Sequence, residues 1–199
     1  MTDTILTYFP QAFYVAENLL EPDYLKKLQD RVYSIKDGNP SGGSNWVLRP
    51  YNTLDTYELK DDPVFSTLLD KIEEKTFAFN KEHNSDYHYK IKESWLNVYD
   101  KNDQQEYHCH AGHTYSAVFF LKSNEDCAKI IFENPTEPDM MPIKNLKELN
   151  GLSFKRCHFN PIENSLLIFR SYMRHMVDKQ ETDSERISIA VNLLIRLEF

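Results

Sequence analysis

Apolar residues recur at three- and four-residue steps early in the chain. Leu25, Leu28, Val32 and Ile35 lie between Glu21-Pro22 and Asp37-Gly38. This spacing predicts an amphipathic helix with proline in its first turn and glycine at its end. Asn39 to Asn45 (NPSGGSN) reads as a turn-rich loop. Asp62 as N-cap and Pro63 at the first helical position signal a second helix, with Phe65, Leu68, Leu69, Ile72 and Phe79 as its buried stripe.

From Tyr87 the period changes to two. The predicted strands are Tyr87–Lys92, Ser94–Tyr99, Thr114–Leu121, Lys129–Glu133, Ser153–His158, Ser165–Phe169 and Arg186–Leu194, with Lys144–Leu149 as the one further helix candidate. Short connections between strands argue for antiparallel pairing, not βαβ units. The expectation is an α+β chain: a helical part over about 1–85 and a β core over about 87–199, in one domain spanning 1–199, the sheet closing into a barrel or a two-sheet sandwich. In the last strand Arg186, Ser188, Ala190 and Asn192 share one face, and Ile187, Ile189, Val191 and Leu193 the other. Composition alone favours placing the polar face in water; a central ligand would place it in a cavity instead.

A chain of 199 residues suits one ordinary domain. Its longest apolar runs, such as Ala117–Leu121, are far shorter than the roughly 18 residues of a spanning helix, so no membrane span is expected. Lys plus Arg number 23 against 31 Asp plus Glu, a net charge of −8. That is the opposite sign to a protein that binds nucleic acid through phosphates, so no such partner is expected. Cys109, Cys127 and Cys157 are odd in number and show no paired spacing, and the first residues lack the basic and apolar segments of a secretory signal. Both observations point to the cytoplasm.

Three of the seven histidines crowd into His108-Cys109-His110-Ala111-Gly112-His113. Residues two apart on an extended segment face the same way, so His108 and His110 can place two imidazoles on one metal. A metallohydrolase HxHxDH pattern needs Asp where Gly112 stands, and a cupin pattern needs a Glu that Ala111 to Lys122 does not contain. A non-haem iron site fits better. It takes two ligands from one short segment and a third from a distant strand, leaving positions open for a bidentate cosubstrate and O2. His175, after the strand Ser165–Arg170, supplies the third, and Arg186 opens the next strand with a guanidinium able to bind a dicarboxylate's far end. Ser188, on the same strand face, can share that carboxylate.

From Trp95 to Leu193 the chain resembles the 2-oxoglutarate- and Fe(II)-dependent dioxygenases. The resemblance rests on Trp95-Leu-Asn97-Val-Tyr99, His108-Cys-His110 followed by Tyr-Ser-Ala-Val-Phe-Phe-Leu, Ile-Ile-Phe132-Glu-Asn-Pro135, Asn164-Ser-Leu-Leu-Ile-Phe169 leading to His175, and Arg186-Ile-Ser188. It implies a double-stranded β-helix (jelly-roll) barrel braced by N-terminal helices, with Fe(II), 2-oxoglutarate and O2 as cofactors. It further implies oxidative decarboxylation of 2-oxoglutarate to succinate coupled to oxidation, by hydroxylation, of a second, prime substrate. His108, His110 and His175 would be the catalytic metal ligands. Arg186, Ser188, Tyr99, Asn97 and Asn192 would be the cosubstrate residues. The common family motif is HxD or HxE; position 110 is His, as in a subset of bacterial and phage relatives, and a phage-encoded member would work in the host cytoplasm. Phe120 stands where relatives often carry a Tyr that helps hold the cosubstrate. The run Glu137–Lys147 reads as an insertion of the kind that covers substrate. A cupin-like barrel binding a metal or small acid without turnover is the alternative, followed by a purely structural β-sandwich. The prime substrate and the oligomeric state stay open.

Overall fold

The structure is a computed structural model that describes residues 4, 10–43, 50–136 and 145–196. In chain order the elements are β1 (Tyr14–Ala16), α1 (Pro22–Gly38), β2 (Tyr51–Asn52), 3-10 turns at Leu59–Asp61 and Pro63–Phe65, and α2 (Ser66–Lys81). There follow β3 (Tyr89–Tyr99), β4 (Gln105–His108), β5 (Tyr115–Lys122), β6 (Ile130–Glu133), β7 (Arg156–Phe159), β8 (Ser165–Arg170), β9 (His175–Val177) and β10 (Arg186–Ile195). Both helices sit where their periodicity places them. In α1 the buried residues are Leu28, Val32 and Ile35, each worth about 1.5–3 kcal/mol of apolar burial. The Asp62 side chain accepts from Val64 N at 3.0 Å and so caps the 3-10 turn from which α2 continues.

The strands pair antiparallel in two sheets, ordered β1-β8-β5-β10-β3-β2 and β4-β9-β6-β7. β10 is central in the larger sheet, between β5 and β3, and its alternation serves two interiors. Ile187, Ile189, Val191 and Leu193 join an apolar cluster with Leu28 and Val32 of α1 and Leu68 and Ile72 of α2. On the opposite face Trp95, Val118, Phe120, Leu167, Phe169 and Ala190 meet Ile130 and Phe132 of the smaller sheet. The two sheets therefore form a sandwich, with one core between them and another between the larger sheet and the helices.

Several expectations change. Neither sheet closes on itself among the described residues, so the barrel resolves into two stacked sheets. Nor do the first 85 residues form a helical N-terminal brace: β1 and β2 come from that stretch and are strands of the larger sheet, and α1 and α2 share one core cluster with it. The two strands expected over 87–99 are one continuous strand, β3, and the strand expected from Ser153 begins at Arg156. Residues 145–149 are not helical, and residues 137–144 of the expected insertion lie outside the described residues, as do residues 44–45 of the Asn39–Asn45 loop. The polar face of β10 is not in water: Arg186, Ser188 and Asn192 are all buried. No described helix is long and apolar enough to cross a membrane.

Candidate active site

The site is built on two facing rows. Along the inner face of β3 run Glu93, Trp95, Asn97 and Tyr99, and their antiparallel partners on β10 are Asn192, Ala190, Ser188 and Arg186. Strand alternation points all eight side chains into the sandwich. Since neighbouring rungs lie two residues apart, the row spans about 20 Å from Arg186 to Asn192.

The smaller sheet supplies the imidazoles. β4 and β9 pair so that His108 and His175 are direct cross-strand partners, and Phe132 of β6 is the partner of His175 on its other side. His108 Nδ1 lies 2.8 Å from the Glu106 carbonyl and His175 Nδ1 3.0 Å from the Met173 carbonyl. Each ring thus donates Nδ1–H to backbone, which makes Nε2 the unprotonated nitrogen. His110 follows β4 in a turn that its own N–H anchors to the Ser171 carbonyl at 2.9 Å, and Gly112 completes the turn at φ 87°, where a side chain would be strained. His110 Nδ1 lies 3.4 Å from Asn192 Nδ2. One ring nitrogen from each of His108, His110 and His175 lies within 4.8 Å of the others. Burial lowers the pKa of His108. It lowers that of His110 to about 3, reinforced by His108 and His113, and that of His175 well below the ordinary range, reinforced by His108 and His110. All three are therefore neutral at neutral pH, the form a metal requires.

A narrow cavity runs from these rings along the rows to Arg186. Arg186 is 1% exposed. It lies 4.5 Å over the Tyr99 ring, donates to Ser188 Oγ at 3.4 Å, and has no hydrogen-bond partner on Nε and no carboxylate partner among the described residues. A buried cation without a counter-ion is costly. Burial pulls its guanidinium below the usual value and pushes the Tyr99 phenol up to about 12, so Tyr99 stays protonated and donates to Gln105 Oε1 at 2.8 Å. Three neutral imidazoles at one end of a cavity and an unpaired guanidinium at the other suit a divalent cation bridged to a dicarboxylate.

The expected residues divide into two groups. His108, His110, His175, Arg186, Ser188, Tyr99 and Asn97 all line this cavity. Asn97 is already engaged, accepting from Asn52 Nδ2 at 2.6 Å. Asn192 does not line it: it stands beside His110, accepting from Ser116 Oγ at 2.8 Å and donating to Glu93 Oε2 at 2.7 Å. Phe120 packs 5.4 Å from the Arg186 guanidinium and offers no hydroxyl. Among the remaining histidines, His83 bonds the Phe79 carbonyl and His88 stacks on Phe77. Arg170 lies over Tyr115, and Arg174 is 3.7 Å from Glu133. The sequence reading passed over Gln105, for which nothing local gave a signal. It also passed over Glu93, which strand parity with Trp95, Asn97 and Tyr99 would have placed on the site face.

A second, more open chamber shares Trp95, Gln105, His108 and His110 with the first. Its other walls are Leu54, Glu93, Cys109, Ala111, His113 and Asn192.

Comparison with known proteins gives a consistent result. A family profile described as "Putative 2OG-Fe(II) oxygenase" matches residues 93–192. Among solved structures, a prolyl-4-hydroxylase from Pseudomonas putida superposes with a TM-score of 0.63 at 12% identity, over 94% of each chain. The alpha-ketoglutarate-dependent epimerase SnoN from nogalamycin biosynthesis gives 0.69 at 10% identity, over 92% of this chain and 76% of its own. HygX from Streptomyces hygroscopicus, solved with nickel and 2-oxoglutarate bound, gives 0.63 at 11% identity, over 92% and 82%. At such identities the likeness is one of fold. A search of curated proteins returned no match.

Proposed function

The chain belongs to the 2OG-Fe(II) oxygenase family, whose cofactors are Fe(II), 2-oxoglutarate and O2, and from that premise we propose that it is a hydroxylase built as a single double-stranded β-helix domain over residues 1–199. In it His108, His110 and His175 hold the iron, and Arg186 with Ser188 holds the far carboxylate of 2-oxoglutarate. The observation that carries this reading is Arg186: a guanidinium 1% exposed, lacking any carboxylate partner among the described residues, at the far end of the cavity from three neutral imidazoles. The reaction consumes 2-oxoglutarate, O2 and a C–H bond of the prime substrate, and yields succinate, CO2 and the hydroxylated product. When bound, iron supplies the O2 chemistry that couples the two oxidations.

The protein's own residues bind, orient and exclude water. The Nδ1–H bonds of His108 and His175 to backbone carbonyls hold both rings in one tautomer, with Nε2 aimed inward. Arg186 and Ser188 fix the cosubstrate's far end, Arg186 by a two-point fork. Tyr99, held protonated and tied to Gln105, packs under the guanidinium. Phe120, Val118, Ile130 and Val177 keep this end dry, which strengthens the charge pairing. Cys109, Cys127 and Cys157 are all unpaired thiols, which supports a reducing, cytoplasmic setting.

The test is anaerobic reconstitution with Fe(II) and 2-oxoglutarate. A visible metal-to-ligand charge-transfer band that needs both components is expected, followed by succinate on exposure to O2. Absence of the band refutes the reading. A band with no succinate under any condition favours the cupin-like, non-catalytic alternative.

A further inference from the structure

The two rows carry opposite charge at their two ends. The deep rung is Arg186 opposite Tyr99, and among the described residues the deep cavity contains no carboxylate. The outer rung is Asn192 opposite Glu93, and among the described residues the outer chamber contains no Lys or Arg. Glu93 is the one carboxylate of that chamber among the described residues, and its side chain is 40% exposed. It is held from one side only: Oε2 accepts from Asn192 Nδ2 at 2.7 Å, and His113 Nε2 lies 3.6 Å from that same oxygen. Oε1 accepts nothing among the described residues. The chamber also has an apolar wall from Leu54, Ala111 and Trp95, with His108 and His110 at its inner end. A ligand filling it would place an aliphatic stem along that wall, beside the proposed iron-binding rings, and its polar group at Glu93.

We propose that the prime substrate carries a protonated nitrogen, an ammonium or guanidinium on an aliphatic stem, which pairs with Glu93 Oε1. The proposal rests on the Fe(II)/2-oxoglutarate reading of the deep cavity. Asn192 is then a positioning residue, since its amide fixes Glu93 with the second oxygen turned to the chamber. The charge segregation also sorts the two ligands. A dicarboxylate is drawn to Arg186 and repelled at Glu93, and a cation the reverse, so neither occupies the other's place.

The experiment titrates the anaerobic protein loaded with Fe(II) and 2-oxoglutarate, followed by calorimetry. The probes are L-lysine and L-norleucine, and the blocked peptides acetyl-Gly-Lys-Gly-amide and acetyl-Gly-norleucyl-Gly-amide. The first pair tests a free metabolite and the second a protein side chain. In at least one pair the cationic member is expected to bind tenfold or more tighter than its neutral counterpart, equivalent to about 1.4 kcal/mol. Glu93→Gln should abolish that preference, and Glu93→Asp should keep part of it. The wild-type comparison needs no variant and is decisive by itself: equal binding of the two members in both pairs, or binding of neither, overturns the proposal. So does a preference that survives in Glu93→Gln. The charge-transfer band is recorded first on the same sample. With the band present and no cation preference, only the Glu93 assignment fails; without the band, both fail.

Discussion

At Arg186 the chain commits a full charge to a place where it has no counter-ion among the described residues. Such a residue is retained in a fold only if something offsets the desolvation. Arg186→Leu should therefore leave the fold intact, since the aliphatic stem is replaced and the unpaired charge removed. It should raise the 2-oxoglutarate dissociation constant at least about tenfold, roughly 1.4 kcal/mol. Arg186→Lys should recover only part of the loss, because a point charge replaces a two-point fork. Titration of the charge-transfer band checks both, and unchanged affinity in the leucine variant would remove Arg186 from the cosubstrate site. The three imidazoles have the converse property. All are held below their ordinary range by burial first, His110 at about 3. Between the unfolded value near 6.5 and those lowered values the unfolded chain binds protons that the folded one does not. Stability of the metal-free protein is thus fully present above about pH 6.5 and falls as pH drops through that window, by up to about 1.4 kcal/mol per pH unit for each ring. Urea unfolding at pH 7.5 and 5.5 measures this, and equal midpoints would contradict it.

The elements divide into those that local sequence secures and those that pairing secures. α2 is of the first kind. Asp62 caps its leading turn and also accepts from Arg31 Nε at 2.7 Å and Tyr57 OH at 2.9 Å. Burial alone would raise its pKa, but the bonds from Arg31, Val64 and Tyr57 outweigh that and hold it below the usual carboxylate value. Asp62→Ala should cost about 1–3 kcal/mol, combining a lost cap with donors left unpaired, and thermal or urea unfolding at neutral pH reads it. The His-Ala-Gly-His turn and β9 are of the second kind. β9 is three residues long, and its place comes from β4 on one side and β6 on the other. The proposed metal site inherits its geometry from those two pairings.

For the molecule as a whole, iron bound as proposed would join strands from distant parts of the sequence, and a ligand that binds only the folded state stabilises it by mass action. With Fe(II) at about 100 times its dissociation constant the gain is about 2.7 kcal/mol, which for a chain of this size raises Tm by about 5–10 °C. The increment should vanish in His175→Ala and persist in His110→Asp, which restores the carboxylate of the common family motif. Thermal unfolding under anaerobic conditions, with and without Fe(II), checks this. Loss of the increment in His110→Asp would show that the centre depends on three imidazoles.

The sequence by itself determined the two helices, because a stripe at 3.6-residue spacing and a capping Asp-Pro are local physics. It also determined the alternation of β10 and the HxH pair, because parity along a strand is local too. Only the tertiary structure decided what the polar faces meet. A strand with Arg186, Ser188 and Asn192 on one side reads as half in water, and nothing along the chain says that a second sheet covers that side. Nor do Gln105–His108 and His175–Val177 show an alternation long enough to read. They are strands because each pairs with a partner far away in sequence, and backbone hydrogen bonds across such pairs leave no mark on either segment alone. The same reason divides the site. His108, His110, His175 and Arg186 stood out by residue type and order, whereas the place of Asn192 beside His110, the exposure of Glu93 to a second chamber and the opposite charge of the two ends follow from register between β3 and β10, which only the folded chain fixes.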